Sequence, residues 1–439
     1  MKLRPHLCIG MSLAPTWLSG EGWRRADSGI EGLYSADFAL DIARRAEAAH
    51  LDFVFRPDAS FLPVDALDQS FGFSSVDPTL LMAALVRETD RIGLVTTISS
   101  TFGHPYAAAR QIMSLHWLSR GRAGWNVVTA LQGNENFGLP EMPSSDARYA
   151  RAEEFTDVVE RLWSSFPSRA LLVDRDSGRY ADTDLILPID HHGAAFDVKG
   201  PLNLPEFPGP RIPLMQAGGS PRGIDFAGKV ADMVFGLSPD IASARATRDQ
   251  LSTAARRHKR LPRDVRFLPG LSLYLGDTRE EARDLFLANH ARVTRPQRIE
   301  RIAAATGLDL SDWPEDRPIT TADLAKPGAG GQYDKLLRLI DGEGPTLAEL
   351  LDRPETLASM HWQVIGTVED ARAEITRWFE GGAIDGFVAV PGGAPSSLDL
   401  TLGELIPRLA ETGHFRSAYS GDTLLHHLQE GLEEAEPAL

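Results

Sequence analysis

Four polar clusters stand at or just past the ends of short apolar runs: Asp58, Ser99-Ser100-Thr101, Asn126 with Thr129, and Gly218-Gly219-Ser220. A fifth, Arg148-Tyr149, opens a helical stretch. Together they supply amides, hydroxyls, a phenol, a guanidinium and a single carboxylate. No serine or cysteine is paired with a general base, and no two carboxylates stand at two strand ends. Such groups orient a ligand through hydrogen bonds rather than attack it. Glycines ahead of a helix N-terminus let backbone amides approach a phosphate, whose charge the helix end favours. The ligand these clusters suit is polar, planar and phosphorylated. Each cluster also has a plain structural reading. Asp58 is then a turn residue, the hydroxyls cap the helix that starts at Pro105, and His104 orders that turn.

The elements that must position these residues alternate regularly. Apolar runs at 6–13, 51–56, 91–100, 122–129, 212–217, 232–236, 265–275 and 385–390 read as eight strands. Helical periodicity fills 36–50, 77–90, 149–165, the stretch up to about 259, 368–379 and 400–411, and closes a further helix at Leu118. Asp77-Pro78 is an N-cap followed by proline at the first helical position. Eight strands alternating with helices predict an α/β fold, a (β/α)8 barrel, whose strand C-termini form the active-site end. Residues 14–34 form a loop long enough to lie over that end. Two stretches break the alternation and are expected as insertions into one barrel domain spanning 1–439. In 166–209, residues 185–187 and 195–198 predict a hairpin. Residues 277–365, with Trp313 and a Pro/Gly-rich 326–332, are expected to form a lid or an oligomer contact, and 430–439 to fray.

Composition narrows the classes. With 61 acidic against 45 basic residues among 439, the formal charge is −16, which disfavours nucleic acid and anionic membranes as partners. No apolar run reaches the length of a membrane span and no secretory leader is visible, so the expected location is the cytoplasm. The single cysteine, Cys8, lies in the first apolar run and reads as buried packing. His191-His192 and His426-His427 are adjacent pairs whose side chains diverge, so no metal site is expected.

The stretch GRAGWNVVTA, residues 121–130, resembles the signature of the bacterial-luciferase-like flavin monooxygenases, in the branch of the nitrilotriacetate, EDTA, dibenzothiophene-sulfone and long-chain alkane enzymes. The resemblance continues in order through TTISSTFGHPYAAAR at 96–110, Asn136-Phe137-Gly138, Arg148-Tyr149 with Glu153-Glu154-Phe155, and Gln216-Ala217-Gly218-Gly219-Ser220. It implies a luciferase-like TIM barrel and a two-component monooxygenase. Such an enzyme receives reduced FMN from a separate NAD(P)H:flavin reductase and uses O2, through a flavin-peroxide, to oxygenate a small organic substrate. It further implies flavin contacts at Asp58, Thr101, Tyr149, Gly219 and Ser220, with Asn126 and Thr129 on the oxygen side of the ring, and a homo-oligomer, dimer or tetramer. Two positions depart from the pattern: Ser145 stands where relatives commonly carry His, and Ala130 where the motif ends in Ser. Each removes one polar contact.

Two other readings stay open at this point. One is a barrel oxidoreductase that moves hydride through flavin or deazaflavin without oxygen insertion; the other is a noncatalytic flavin-binding protein. Trp17, Trp23, Phe61, Phe71 and Phe73 lie in loops expected at the mouth and hint at an apolar or aromatic substrate, with core packing as the plainer alternative.

Overall fold

In the computed structural model, which describes residues 6–14, 16–306, 310, 312–320, 344–351, 357 and 361–430, eight parallel strands close into a barrel. They are β1 Cys8–Ser12, β2 Phe53–Phe55, β3 Gly93–Ser99, β4 Ala123–Val128, β5 Leu214–Ala217, β6 Met233–Gly236, β7 Arg266–Leu275 and β8 Gly386–Pro391. Each pairs with the next, and β8 returns to β1 with Cys8 opposite Gly386. Every barrel strand expected from the sequence is present.

Continuous apolar runs suit strands covered on both faces. Alternate side chains point inward: Cys8, Phe53, Phe55, Val95, Met215, Met233, Leu268 and Val388 fill the barrel. Cys8 is buried among them, and burial pushes its thiol well above the ordinary range. The other set packs under the helices, with Trp125, Val127 and Leu214 meeting α3 Pro105–Leu118 and α4 Ser145–Ser164. The barrel floor is filled by a later segment. Helix Leu424–Gln429 inserts Leu424 and Leu428 into the inner core. Gly93 and Gly124 make room for Leu424, since a Cβ on either would stand 2.6 or 2.7 Å from it. Arg416 ties this segment to Asp52 at 2.6 Å.

Three expectations need correction. The helix read over 77–90 runs only over Pro78–Leu85 (α2). Asp77 caps it as expected. Past Leu85 the carbonyls of Val86, Thr89 and Ile92 turn instead to the Arg122 guanidinium. The hairpin read at 185–187 with 195–198 is two small hairpins, Leu171–Asp174 with Arg179–Ala181 and His191–His192 with Asp197–Val198. Residues 183–185 form a 3-10 turn, so the apolar 185–187 is not a strand. Within 277–365 a further strand, Trp362–Gly366, pairs outside the closed barrel against the end of β7. Residues 326–332, and 431–439 of the expected fraying end, lie outside the described residues.

Candidate active site

The strand C-termini gather the expected residues into two neighbouring groups. In the first, α3 follows β3 through a short turn while α2 follows β2 through the longer loop 56–77, and both connections leave polar side chains at the barrel's upper rim. Asn126 points inward from β4 and is 2% exposed. Its Nδ2 donates to Thr97 Oγ1 at 3.0 Å, and Thr97 donates to the carbonyl of Arg56 at 2.7 Å. Asn126 Oδ1 is buried and has no hydrogen-bond partner among the described residues. Thr101, also buried, accepts the amide of Ala130 at 3.1 Å, which leaves its own proton free to donate. Thr129 is half-buried and makes no hydrogen bond among the described residues.

Asp58 follows β2 and is exposed, although protein flanks it on several sides. That surrounding protein raises its carboxyl above the ordinary range, opposed by the Ala59 amide, reinforced by Asp77 and opposed again by Arg56. Water still reaches the group, which limits that rise. The neighbouring Arg56 is buried, with Nη1 on the carbonyl of Leu13 at 2.6 Å.

The second group surrounds the turn from β5 into α5 Pro221–Val230. Ser220 caps α5, accepting the Gly223 amide at 3.1 Å. A Cβ on Gly218 would lie 2.7 Å from Gln216 Nε2 and 2.9 Å from Tyr149 Oη, and one on Gly223 only 2.6 Å from that phenol oxygen. Gly219 differs: a Cβ there meets nothing within 4 Å, so its backbone borders open space. The amides of Gly218, Gly219 and Ser220 make no backbone hydrogen bond among the described residues. Tyr149 is 5% exposed and its hydroxyl has no protein partner there, while Gln216 Oε1 is buried without one. Free amides at a helix N-terminus, a free phenol and an open glycine turn are a fit for a phosphate. Register places Gln216 opposite Val127 and Met215 opposite Asn126, so the two groups adjoin.

Other expected residues do different work. His104 accepts the Tyr106 amide and so orders the α3 turn. Trp17, Trp23 and Phe71 pack into the outer core rather than around the mouth. The indole of Trp23 donates to the Gln69 carbonyl at 2.8 Å, tying the 14–34 loop to the β2–α2 loop. Ser145 is exposed at the start of α4, and Ala130 contributes only its amide. The histidine pair is split between partners, His191 on Glu154 and His192 on Asp197. Among the described residues, no three His, Cys, Asp or Glu could share a metal. The sequence reading missed Thr97, Gln216 and two inward rings, Phe55 and Phe235, whose centroids stand 5.5 Å apart. His361 stands 5.5 Å from Phe235, ahead of the extra strand. Strict alternation along β2 and β6 carries the signal for both phenylalanines.

A closed parallel barrel with unpaired acceptors, a free phenol and an open glycine turn at its strand C-termini is a cofactor-dependent barrel enzyme. The model of the luciferase-like monooxygenases matches residues 18–385. The chain is 34% identical to a dibenzothiophene-sulfone monooxygenase of Rhodococcus erythropolis over 418 residues, 92% of each chain. It is 31% identical to nitrilotriacetate monooxygenase component A of Aminobacter aminovorans over 420 residues, 93% of this chain and 92% of that one. A solved riboflavin lyase, with modified FMN and riboflavin, superposes with a TM-score of 0.82 at 28% identity, covering 96% of this chain and 95% of the other. The chain belongs to the luciferase-like monooxygenase family and is a flavin-dependent monooxygenase. Membership favours oxygen insertion over hydride transfer alone and over noncatalytic flavin binding. No described helix is long and apolar enough to cross a membrane.

Proposed function

We propose that this chain is the oxygenase component of a two-component system. It takes reduced FMN from a separate NAD(P)H:flavin reductase and uses O2 to oxygenate a small organic substrate. The observation that carries the reading is a buried acceptor lacking a donor inside the barrel, Asn126 Oδ1, together with the open turn at Gly219 past the end of the neighbouring strand, where Gln216 Oε1 on the helix-facing side also lacks one. Ring N–H groups satisfy such acceptors and a phosphate satisfies the free amides. FMN carries both and, when bound in its reduced form, supplies the electrons that activate oxygen. The designation of the nitrilotriacetate relative as a component supports a separate reductase.

Each residue then has a task set by its hydrogen bonds. Tyr149 and Ser220 offer hydroxyl protons, and Gly219 its amide, to the phosphate end. Thr101 donates to an acceptor on the isoalloxazine, while Asp58 accepts from a ring donor. Asn126 and Thr129 border the side on which oxygen reacts. The 14–34 loop, tied to Gln69 and through Glu21 to the carbonyl of Asn289, keeps water from that side. Phe55 and Phe235 support an apolar or aromatic substrate.

The chain acts as one barrel domain, with 166–209 and 277–365 as insertions, and works in the cytoplasm. It assembles as a dimer or tetramer. Leu80 and Leu118, 72% and 62% exposed on α2 and α3, flank a groove of about 540 Å³ that suits a second copy. Light scattering reads the assembly. The function is tested by anaerobic titration with FMN and reduced FMN, then by turnover of a substrate panel, including dibenzothiophene sulfone, under labelled O2. Label in a product establishes oxygenation; tighter binding of oxidised FMN with no label in any product refutes it.

A further inference from the structure

The hydrogens along one buried chain decide which end of the Asn126 amide is paired and which is left over. The carbonyl of Arg56 can only accept, so the Thr97 hydroxyl, 2.7 Å away, gives its proton there. Thr97 Oγ1 can then only accept, and it does so from Asn126 Nδ2 at 3.0 Å. Arg56, Thr97 and Asn126 are all at least nine-tenths buried, so water does not relieve a mismatch. Turning the Asn126 amide over would orphan the Arg56 carbonyl or set two acceptors face to face. The amide is thus locked with Oδ1, a pure acceptor without a partner among the described residues, as its unpaired end.

We propose that Thr97 is a positioning residue that makes this site selective for reduced over oxidised FMN, by presenting Asn126 Oδ1 to the ring edge that gains a proton on reduction. The inference rests on the flavin reading above. Oxidised isoalloxazine has a lone pair at N5, whereas the reduced ring has an N–H there. A fixed, buried acceptor repels the first and pairs with the second.

The test is anaerobic calorimetry of the native protein, Thr97→Val and Thr97→Ser with oxidised FMN and with dithionite-reduced FMN. The native protein is expected to bind the reduced form more tightly. Thr97→Val removes the lock, and the ratio of the two dissociation constants falls about fivefold to tenfold. A tenfold fall lowers the midpoint potential of bound FMN by about 30 mV. Thr97→Ser keeps the hydroxyl and the native ratio. If Thr97→Val does not fold, Thr97→Ala reads the same ratio. An unchanged ratio and potential in the variant lacking the hydroxyl overturns the inference and leaves the flavin reading standing, as does a native protein without preference. Binding of neither form overturns the flavin reading and this inference with it.

Discussion

Arg122 Nη1 donates to Thr89 Oγ1 at 2.8 Å, and the same buried guanidinium also holds the carbonyls of Val86, Thr89, Ile92 and Ser119. The arginine of the GRAGWN stretch is therefore a clamp between the end of α2 and the start of β4, away from the mouth. Arg122→Met leaves those acceptors without donors and should cost about 3 kcal/mol or more. Arg122→Lys should recover only part, because an ammonium has no planar fork. Urea unfolding checks this; a loss below about 1 kcal/mol for the methionine variant would refute the clamp.

Gly219 separates binding from folding. Its missing Cβ faces open space, so Gly219→Ala should leave the melting temperature unchanged. The added methyl crowds a phosphate at the turn and should weaken FMN binding at least tenfold. Tyr149→Phe, which removes a hydroxyl without a protein partner, should weaken it about threefold to tenfold. Equal FMN affinity in all three proteins would place the phosphate elsewhere.

His116 makes stability depend on pH. Burial pulls its imidazole down from the ordinary 6.5 to about 4, despite its bond to the Pro210 carbonyl. The folded protein thus holds a neutral ring while the unfolded chain takes up a proton below about pH 6.5. Stability from this group is full above pH 6.5 and is lost as pH falls towards 4, by up to about 3 kcal/mol. His427, also pulled down by burial, acts in the same direction. His116→Gln should flatten the slope of melting temperature between pH 4 and 6.5; a slope equal to the native one would show that His116 does not carry it.

Leu424 should matter as much as any barrel residue. It is fully buried in the slot left by Gly93 and Gly124, so Leu424→Ala should cost about 2–5 kcal/mol. FMN affinity at the far end of the barrel should be unaffected. Guanidinium unfolding and calorimetry give the two numbers, and a loss within about 0.5 kcal/mol would show the floor to be loosely filled.

The strands were legible because each is a short apolar run bounded by polar turns, and their C-terminal ends located Asp58, Thr101, Asn126 and Ser220. Helix α2 was read too long because its periodicity continues past Leu85. The competing partner for those carbonyls, Arg122, lies 30 to 36 residues on. Thr97 was hidden inside a strand, where a threonine is ordinary, and only its register opposite Asn126 reveals its part. Of the strands in the small hairpins of 171–198 only Asp197–Val198 fell within the hairpin read from the sequence, because strands of two to four residues carry no periodicity. Trp17, Trp23 and Phe71 were placed at the mouth by loop position alone, although their rings reach back to the outer core.

The cork formed by Leu424 and Leu428 also orders events during synthesis. Cys8, Phe53 and Val95 leave the ribosome early, but the side chains that complete their inner packing come hundreds of residues later. A nascent barrel therefore waits with an unfilled apolar floor, and with β1 lacking its β8 neighbour, until almost all of the described chain has emerged. Chaperone demand should accordingly peak late in translation, and a ribosome stalled before Leu424 would hold a vessel without its base.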